Sequence, residues 1–308
     1  MFGYLIKRLA QGLLAVLMLS TLVFGLSRMS GDPVQAYLDL DATEQDELRV
    51  RRSLGLDRSI LYQYGAFLSR LAQGDFGNSF RYKKPAISMF WERLPNTLIL
   101  LLPAFVIGHV LSVPLGVIAA TTRGTWKSSF LGGIAVFGIA VPPFWIAIML
   151  MLVFAVKLDW LPAARMGSPE HYLLPFTTLL LGGVAGTMRL VRSSMLDQLD
   201  SEYIRLARAK GASERRVIWV HAFRNSTTAL VASTGTGFAL LLTGSILIEN
   251  VFAWPGVGRL LQEGMSGNDF PLVQTLIVLQ GLALVVINLL ADIAQSLLDP
   301  RIRLTGSQ

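Results

Sequence analysis

Thr97–Thr121 reads TLILLLPAFVIGHVLSVPLGVIAAT, a run without a single Asp, Glu, Lys or Arg. A bilayer core of about 30 Å needs roughly 20 apolar residues in helical form, because backbone N–H and C=O groups left unpaired in hydrocarbon are too costly. Five further stretches meet the same demand: Leu9–Ser27, Ser128–Val156, Tyr172–Leu190, Ser226–Ile248 and Pro271–Ile293. Composition agrees. Of the 308 residues 53% are hydrophobic and 15% charged, against roughly a quarter charged in a soluble domain. The charge is gathered into a few blocks, whereas a soluble fold interleaves it. The sequence therefore predicts an all-α integral membrane protein with about six transmembrane helices.

The first span follows Lys7 and Arg8 as a signal peptide would, but its apolar run exceeds the usual 7–15 residues of a signal core. It reads as an uncleaved first helix. The third span is too long, since 29 residues would rise about 43 Å, and it contains Pro142-Pro143. Proline removes a hydrogen bond and clashes with the preceding turn, so this span is expected to bend or break near mid-membrane. Small residues in the fourth and fifth spans, Gly182-x-x-x-Gly186 and Ser233-Thr234-Gly235-Thr236-Gly237, are expected to permit close helix approach.

A net charge of +7 would suit nucleic acid, yet the cations lie in short loops between apolar runs, so membrane topology explains them and no nucleic-acid partner is expected. One side collects Lys7, Arg8, Arg123, Lys127, Arg189, Arg192, Arg205, Arg208, Lys210, Arg215, Arg216, Arg224, Arg301 and Arg303; the other short loops hold Lys157, Arg165 and Arg259. The excess of Lys and Arg marks the cytoplasmic side. Both termini are thus expected in the cytoplasm. The organisation predicted is an N-terminus and first helix over 1–27, a small, mostly helical extracytoplasmic segment over 28–96, and a five-helix core over 97–298. That core carries a cytoplasmic loop at 192–225 and an outer segment at 249–270, and a cytoplasmic tail follows at 299–308. In the segment 28–96, Leu54, Leu56, Leu61, Tyr64, Phe67 and Leu71 recur at near-helical spacing.

The loop from Arg192 to Asn225 is longer and more charged than a turn requires. Asp200, Ser201 and Glu202 supply capping groups and negative charge for a helix start, and Arg208 and Lys210 fall in its last turn. Gly211 ends it, and Ser213 with Glu214 starts the next helix. Ile204, Ala207 and Arg208 are expected to form one exposed face. From these residues alone two readings stand: a helix that docks in a protein groove, or a basic amphipathic helix resting on lipid headgroups.

Tyr203-Ile-Arg-Leu-Ala-Arg-Ala-Lys-Gly211, followed by His221-Ala-Phe-Arg-Asn225, resembles the coupling loop of binding-protein-dependent ABC importer permeases, in particular the dipeptide, oligopeptide and nickel permease group. The general pattern of such permeases is Glu-Ala-Ala, three residues, Gly, nine residues, then Ile-x-Leu-Pro. Arg205 stands in place of the Glu and Arg224 in place of the Pro, and the peptide branch is the more similar at both. Further resemblance lies in Gly31-Asp32-Pro33, Leu54-Gly-Leu-Asp57, Gly74-Asp-Phe-Gly77, Trp254-Pro-Gly-Val-Gly-Arg259 and Asp299-Pro-Arg-Ile-Arg303. Each alone marks only a turn.

The resemblance implies a permease subunit in the inner membrane of a bacterium, paired with a second, similar permease. Its loop helix would insert into a cytoplasmic ABC ATPase, of which one or two subunits are expected, and an extracytoplasmic solute-binding protein would deliver the cargo. Coupling is then expected from Tyr203, Ile204, Arg205, Ala207, Arg208, Lys210, Gly211, His221, Arg224 and Asn225. The sequence has no G-x-x-x-x-G-K-[ST] phosphate loop, so ATP and Mg are assigned to the partner and no cofactor to this chain.

Candidates for a substrate path are the intramembrane ionisable His109, Glu249 and Asp292, the break at Pro142 and Pro143, Ser233 and Thr236, and Asn250 and Trp254 in the outer segment that resembles a lid. His109 also reads as a hydrogen-bonded packing residue, and Glu249 and Asp292 lie near enough to the interfaces to be hydrated. No metal site is expected: there is no cysteine and three histidines do not support nickel ligation. No H-E-x-x-H, G-x-S-x-G or paired intramembrane acids point to an enzyme. The remaining rival is a secondary, ion-coupled transporter or channel subunit, whose usual internal repeat and midplane ion site are not seen.

Overall fold

The computed structural model describes residues 2–29, 34, 43–53 and 55–298. The motifs at Gly31-Asp32-Pro33 and Asp299–Arg303, Leu54, and the tail 299–308 lie outside them. Among the described residues twelve α-helices follow one another: α1 (Phe2–Met29), α2 (Glu44–Ser53), α3 (Ile60–Ala72), α4 (Ala86–Thr121), α5 (Trp126–Ala140), α6 (Pro143–Leu150), α7 (Glu170–Leu199), α8 (Glu202–Ala209), α9 (Glu214–Arg216), α10 (Phe223–Val251), α11 (Val257–Ser266) and α12 (Phe270–Leu298). Two π-helical stretches, Met151–Lys157 and Val217–Ala222, extend α6 and join α9 to α10. Among the described residues there is no strand beyond one isolated bridge, Asn78 to Pro85.

Among the described residues five helical segments are long and apolar enough to cross a membrane: Ile6–Arg28, Ala86–Thr121, Glu170–Leu199, Glu214–Val251 and Phe270–Gln295. The sixth expected span is a bent pair, Trp126–Ala140 and Pro143–Lys157, turned by 100°. Val141 leaves α5 in an extended conformation, and Pro142 caps α6 with Pro143 in its first turn, where a missing N–H costs nothing. The break is thus where the proline pair predicts it.

The helices run further than the apolar stretches. α4 starts at Ala86 rather than Thr97, α7 continues to Leu199 rather than Leu190, and the fifth span is helical from Glu214 rather than Ser226. Hydropathy registers only the length that needs lipid, while intrahelical hydrogen bonds carry a helix into water as readily. The boundaries drawn at 96 and 192 fall inside helices for this reason.

The contacts divide the chain into two compact units, one of Phe2–Pro95 with Gly256–Val285, the other of Asn96–Pro255 with the chain from Val286 onward. In the first unit α1 packs antiparallel to α12: Gln274 Nε2 donates to Ser27 Oγ at 2.6 Å, Gly281 faces Leu19, and Gly12 faces Val285. α3 is held on α1 by the Thr21–Tyr64 hydroxyl pair at 2.5 Å and by Phe24 against Tyr64 and Phe67. Asp269, wholly buried, accepts from the Ser79 hydroxyl and from the N–H groups of Phe80 (3.1 Å), Arg81 (3.2 Å) and Leu272 (3.3 Å). Tyr82 donates to Glu263 at 3.1 Å. Burial first, and then that carboxylate, raise the phenol above its ordinary value, so it stays a proton donor.

In the second unit one cluster gathers Leu100, Leu101, Ala104, Ala147, Leu174, Leu179, Ile248, Phe252 and Trp254. Close helix approach occurs, but not at Gly182 or Gly186, where an added Cβ would meet nothing within 4 Å. It occurs at Gly138 against Ala185 and at Gly116 against Val191, where a Cβ would sit 2.6 Å from the neighbour's side chain, and at Gly235 against Asn288 and Ala291. A glycine spacing marks a smooth face, and only the tertiary crossing decides which glycines are used. Gly116→Ala is expected to cost about 1–3 kcal/mol through overpacking, since the Met188 carbonyl lies 2.9 Å from the new carbon and cannot move freely. Gly182→Ala is expected to be neutral or mildly stabilising. Thermal midpoints of the two detergent-purified variants check this contrast.

Candidate coupling loop

α7 ends at Leu199, and Ser201 takes the extended backbone of a helix N-cap before α8. Its side chain does not cap: the hydroxyl donates back to the Gln198 carbonyl at 2.5 Å. The expected start is therefore correct in position, and Ser201 serves the end of the preceding helix instead. α8 closes as predicted at Gly211, whose φ of +80° is left-handed. The Gly211 N–H donates to Arg208 O at 2.9 Å and the Ala212 N–H to Ala207 O at 3.1 Å, the paired bonds of a Schellman stop. Beyond it Arg208 grips Glu214 with two bonds, Nε to Oε1 at 2.7 Å and Nη2 to Oε2 at 3.2 Å. That carboxylate raises the guanidinium above its ordinary value. Arg208 thereby clamps the turn shut across Gly211.

The two halves of the motif meet at one hydroxyl. Tyr203 OH donates to Gln198 Oε1 at 2.7 Å and accepts from Asn225 Nδ2 at 2.9 Å, with the His221 carbonyl 3.4 Å away. Arg205, Lys210 and Arg224 are exposed and His221 is half-buried.

The expected outward face is corrected. Ile204 is fully buried among Val117, Ala120, Val191, Met195, Val217 and Ala222, and Ala207 is half-buried. Residues 204 and 207 share one side of a helix, and burying that side fastens α8 to the helices behind it. The outward side belongs to Tyr203, Leu206 and Lys210, with Arg205 and Arg208 beside it. Leu206 is 55% exposed, and Trp219 and Val220 beyond the turn are also open. Sequence reading passed over these three. The spacing of Leu206 from Tyr203 was their available signal, but apolar periodicity alone does not say which stripe faces the protein.

The substrate-path candidates are not brought together. His109 holds its Nδ1 2.9 Å from the Phe105 carbonyl and its ring on Phe105, the packing role. Ser233 donates to Leu230 O and Asn250 to Ile246 O, each within its own helix. Pro142, Pro143 and Thr236 are exposed, and Asp292 is half-buried. Glu249 and Trp254 are corrected more firmly. Glu249, expected near a hydrated interface, is 1% exposed and accepts from Thr97 Oγ1 at 2.7 Å. Trp254 is wholly buried against Tyr172 and donates to the Asn96 carbonyl at 2.8 Å. The polar groups at these helix ends satisfy one another, so neither side chain lines an open path.

Residues 112–304 match the family described as binding-protein-dependent transport system inner membrane component, and residues 1–101 match the N-terminal region of such membrane components. A chain of Brucella abortus (strain 2308) bearing the name of a peptide transport system permease protein is 38% identical over 312 residues, covering 98% of this chain and 99% of its own. The glutathione transport system permease protein GsiC of Escherichia coli (strain K12) is 38% identical over 304 residues, with the same coverage. Among solved structures, the inward-facing MetNI methionine ABC transporter aligns with a TM-score of 0.60 at 18% identity, over 70% of this chain and 98% of that one. An amino acid ABC transporter aligns with a TM-score of 0.55 at 15% identity, over 70% and 94%. These two support the fold alone.

Proposed function

Because this chain belongs to the family of binding-protein-dependent transport system inner membrane components, we propose that it carries peptides or peptide-like solutes and is driven through α8. It is a permease subunit of an ABC importer, a multi-pass protein of the inner membrane that works with ATPase and membrane partners. Peptides are favoured by relatives named for peptide and glutathione transport. The partners proposed are a second, similar permease, one or two ATPase subunits that bind ATP and Mg, and an external solute-binding protein. Both termini are proposed to lie in the cytoplasm; the antiparallel pairing of α1 and α12 and the cations of the short loops support this reading.

The observation that carries the reading is α8 itself: fastened by buried Ile204, stopped at Gly211, and presenting Tyr203, Arg205, Leu206 and Arg208 outward. An apolar side chain flanked by cations suits a protein groove. ATP-driven closure of the ATPases would move α8, and the membrane helices with it, provided α8 binds their two states unequally. Gentle purification of the tagged chain is expected to bring an ATPase and a second permease with it. A chain that arrives alone and moves solute down an ion gradient would instead identify a secondary transporter. The cargo is read from the neighbouring binding protein, as the solute that raises its melting temperature.

A further inference from the structure

The stretch of α1 that is long and apolar enough to cross a bilayer ends at Arg28, and its exposed residues there, Met18, Leu22 and Leu26, belong against lipid tails. α3 rests on α1 at Thr21 and Phe24. Those residues precede Arg28 by one to two turns, about 6–10 Å along the axis. α3 therefore lies at the depth of the membrane surface. Its opening residues are apolar and open: Ile60 is 68% exposed, Leu61 82% and Tyr62 60%. On a water-facing helix three such neighbours would be costly, whereas at a bilayer surface they are the inserted side.

Beside them is a cleft of about 670 Å³ lined by Arg28, Arg52, Arg58 and Arg70, with Asp57 as the carboxylate in its lining. Gln63 lines it too, its Nε2 donating to the Arg58 carbonyl at 2.8 Å, while its buried Oε1 has no partner among the described residues. Guanidinium groups match phosphate oxygens in two-point contact, and an orphan acceptor suits a hydroxyl donor. We propose that this cleft binds the phosphate of an anionic phospholipid such as phosphatidylglycerol, its glycerol hydroxyls towards Gln63, with Ile60 and Leu61 among the neighbouring acyl chains. On the topology proposed above, this is the outer leaflet. The site would fix the height of α3 against the bilayer.

The test uses the full chain. In native mass spectrometry from mild detergent, the chain is expected to retain phosphatidylglycerol in preference to phosphatidylcholine. The triple variant Arg52→Gln, Arg58→Gln, Arg70→Gln, altering exposed side chains only, is expected to weaken that retention by about fivefold per guanidinium removed. Retention unchanged in the variant would overturn the proposal. Displacement of the lipid by millimolar inorganic phosphate would assign a free-anion site and overturn the lipid assignment; persistence supports it. Since the chain has no cysteine, a spin label at Leu61→Cys reports separately. In phosphatidylglycerol nanodiscs it is expected to collide with oxygen and to be shielded from a water-soluble nickel chelate. A label open to the chelate, or shielded only after a solute-binding protein is added, would give this face to water or to a protein and reject the membrane site.

Discussion

Gly211→Asp is expected to leave the protein in the membrane at its normal level while lowering ATP-dependent uptake by about 5- to 150-fold, the span of ordinary coupling free energies. Insertion survives because the site is open: a Cβ at Gly211 meets nothing within 4 Å. The left-handed backbone, at φ +80°, costs a non-glycine residue about 1–2 kcal/mol, and Asp tolerates it better than most. What changes is the surface offered to the ATPase. A carboxylate would stand beside Lys210 and the Arg208–Glu214 pair, at the end of the helix that is proposed to be gripped. Gly211→Asn carries similar backbone strain without the charge, and is expected to retain most of the uptake. Uptake and membrane abundance, measured together for both variants, separate strain from charge; normal transport by Gly211→Asp would remove α8 as the drive.

Trp254→Ala is expected to destabilise the second unit by about 3–5 kcal/mol, the usual cost of emptying a large aromatic site. Trp254 is wholly buried in a cluster with Leu100, Leu101, Leu174, Ile248 and Phe252. Its ring stands edge-on to Tyr172 at 4.7 Å, and its N–H satisfies the Asn96 carbonyl while Asn96 Nδ2 returns a bond to the Pro255 carbonyl at 2.9 Å. The thermal midpoint and the folded yield should both fall. Trp254→Phe keeps most of the packing and removes only the bond to the Asn96 carbonyl, for an expected loss of about 0.5–1.5 kcal/mol. If Trp254→Ala melted like the unaltered protein, the cluster would not be a structural core and the residue would return to the list of solute contacts.

How much of this was legible in the chain differs residue by residue. The break at Pro142-Pro143 and the stop at Gly211 could be read directly, because ring geometry and a missing Cβ restrict the backbone wherever they occur. Ser201 was half legible: its place at the start of α8 followed from local preference, but the partner of its hydroxyl was chosen by the end of α7. Arg208 and Glu214 were each assigned to a helix end by charge. That they bind each other across the turn follows only from how the turn folds. Glu249 reads as a hydrated residue because it falls at the outer end of an apolar run, yet it is buried and bonded to Thr97, distant in sequence.

By itself the sequence determined the elements. Apolar runs long enough for a bilayer, prolines and glycines that interrupt them, and cations gathered on one set of loops are properties of short stretches, acting through hydrogen bonding, sterics and solvation within a few residues. The tertiary structure alone decided the faces: that Ile204 points inward and Leu206 outward, that Gly116 and Gly138 are used for close packing while Gly182 is left open, and that Trp254 fills a core. A helix in lipid is apolar on nearly every side, and the short α8 outside it carries an apolar residue on each side, so hydrophobicity no longer distinguishes the side that meets protein from the side that meets solvent. Only the fit of one helix surface against another makes that choice.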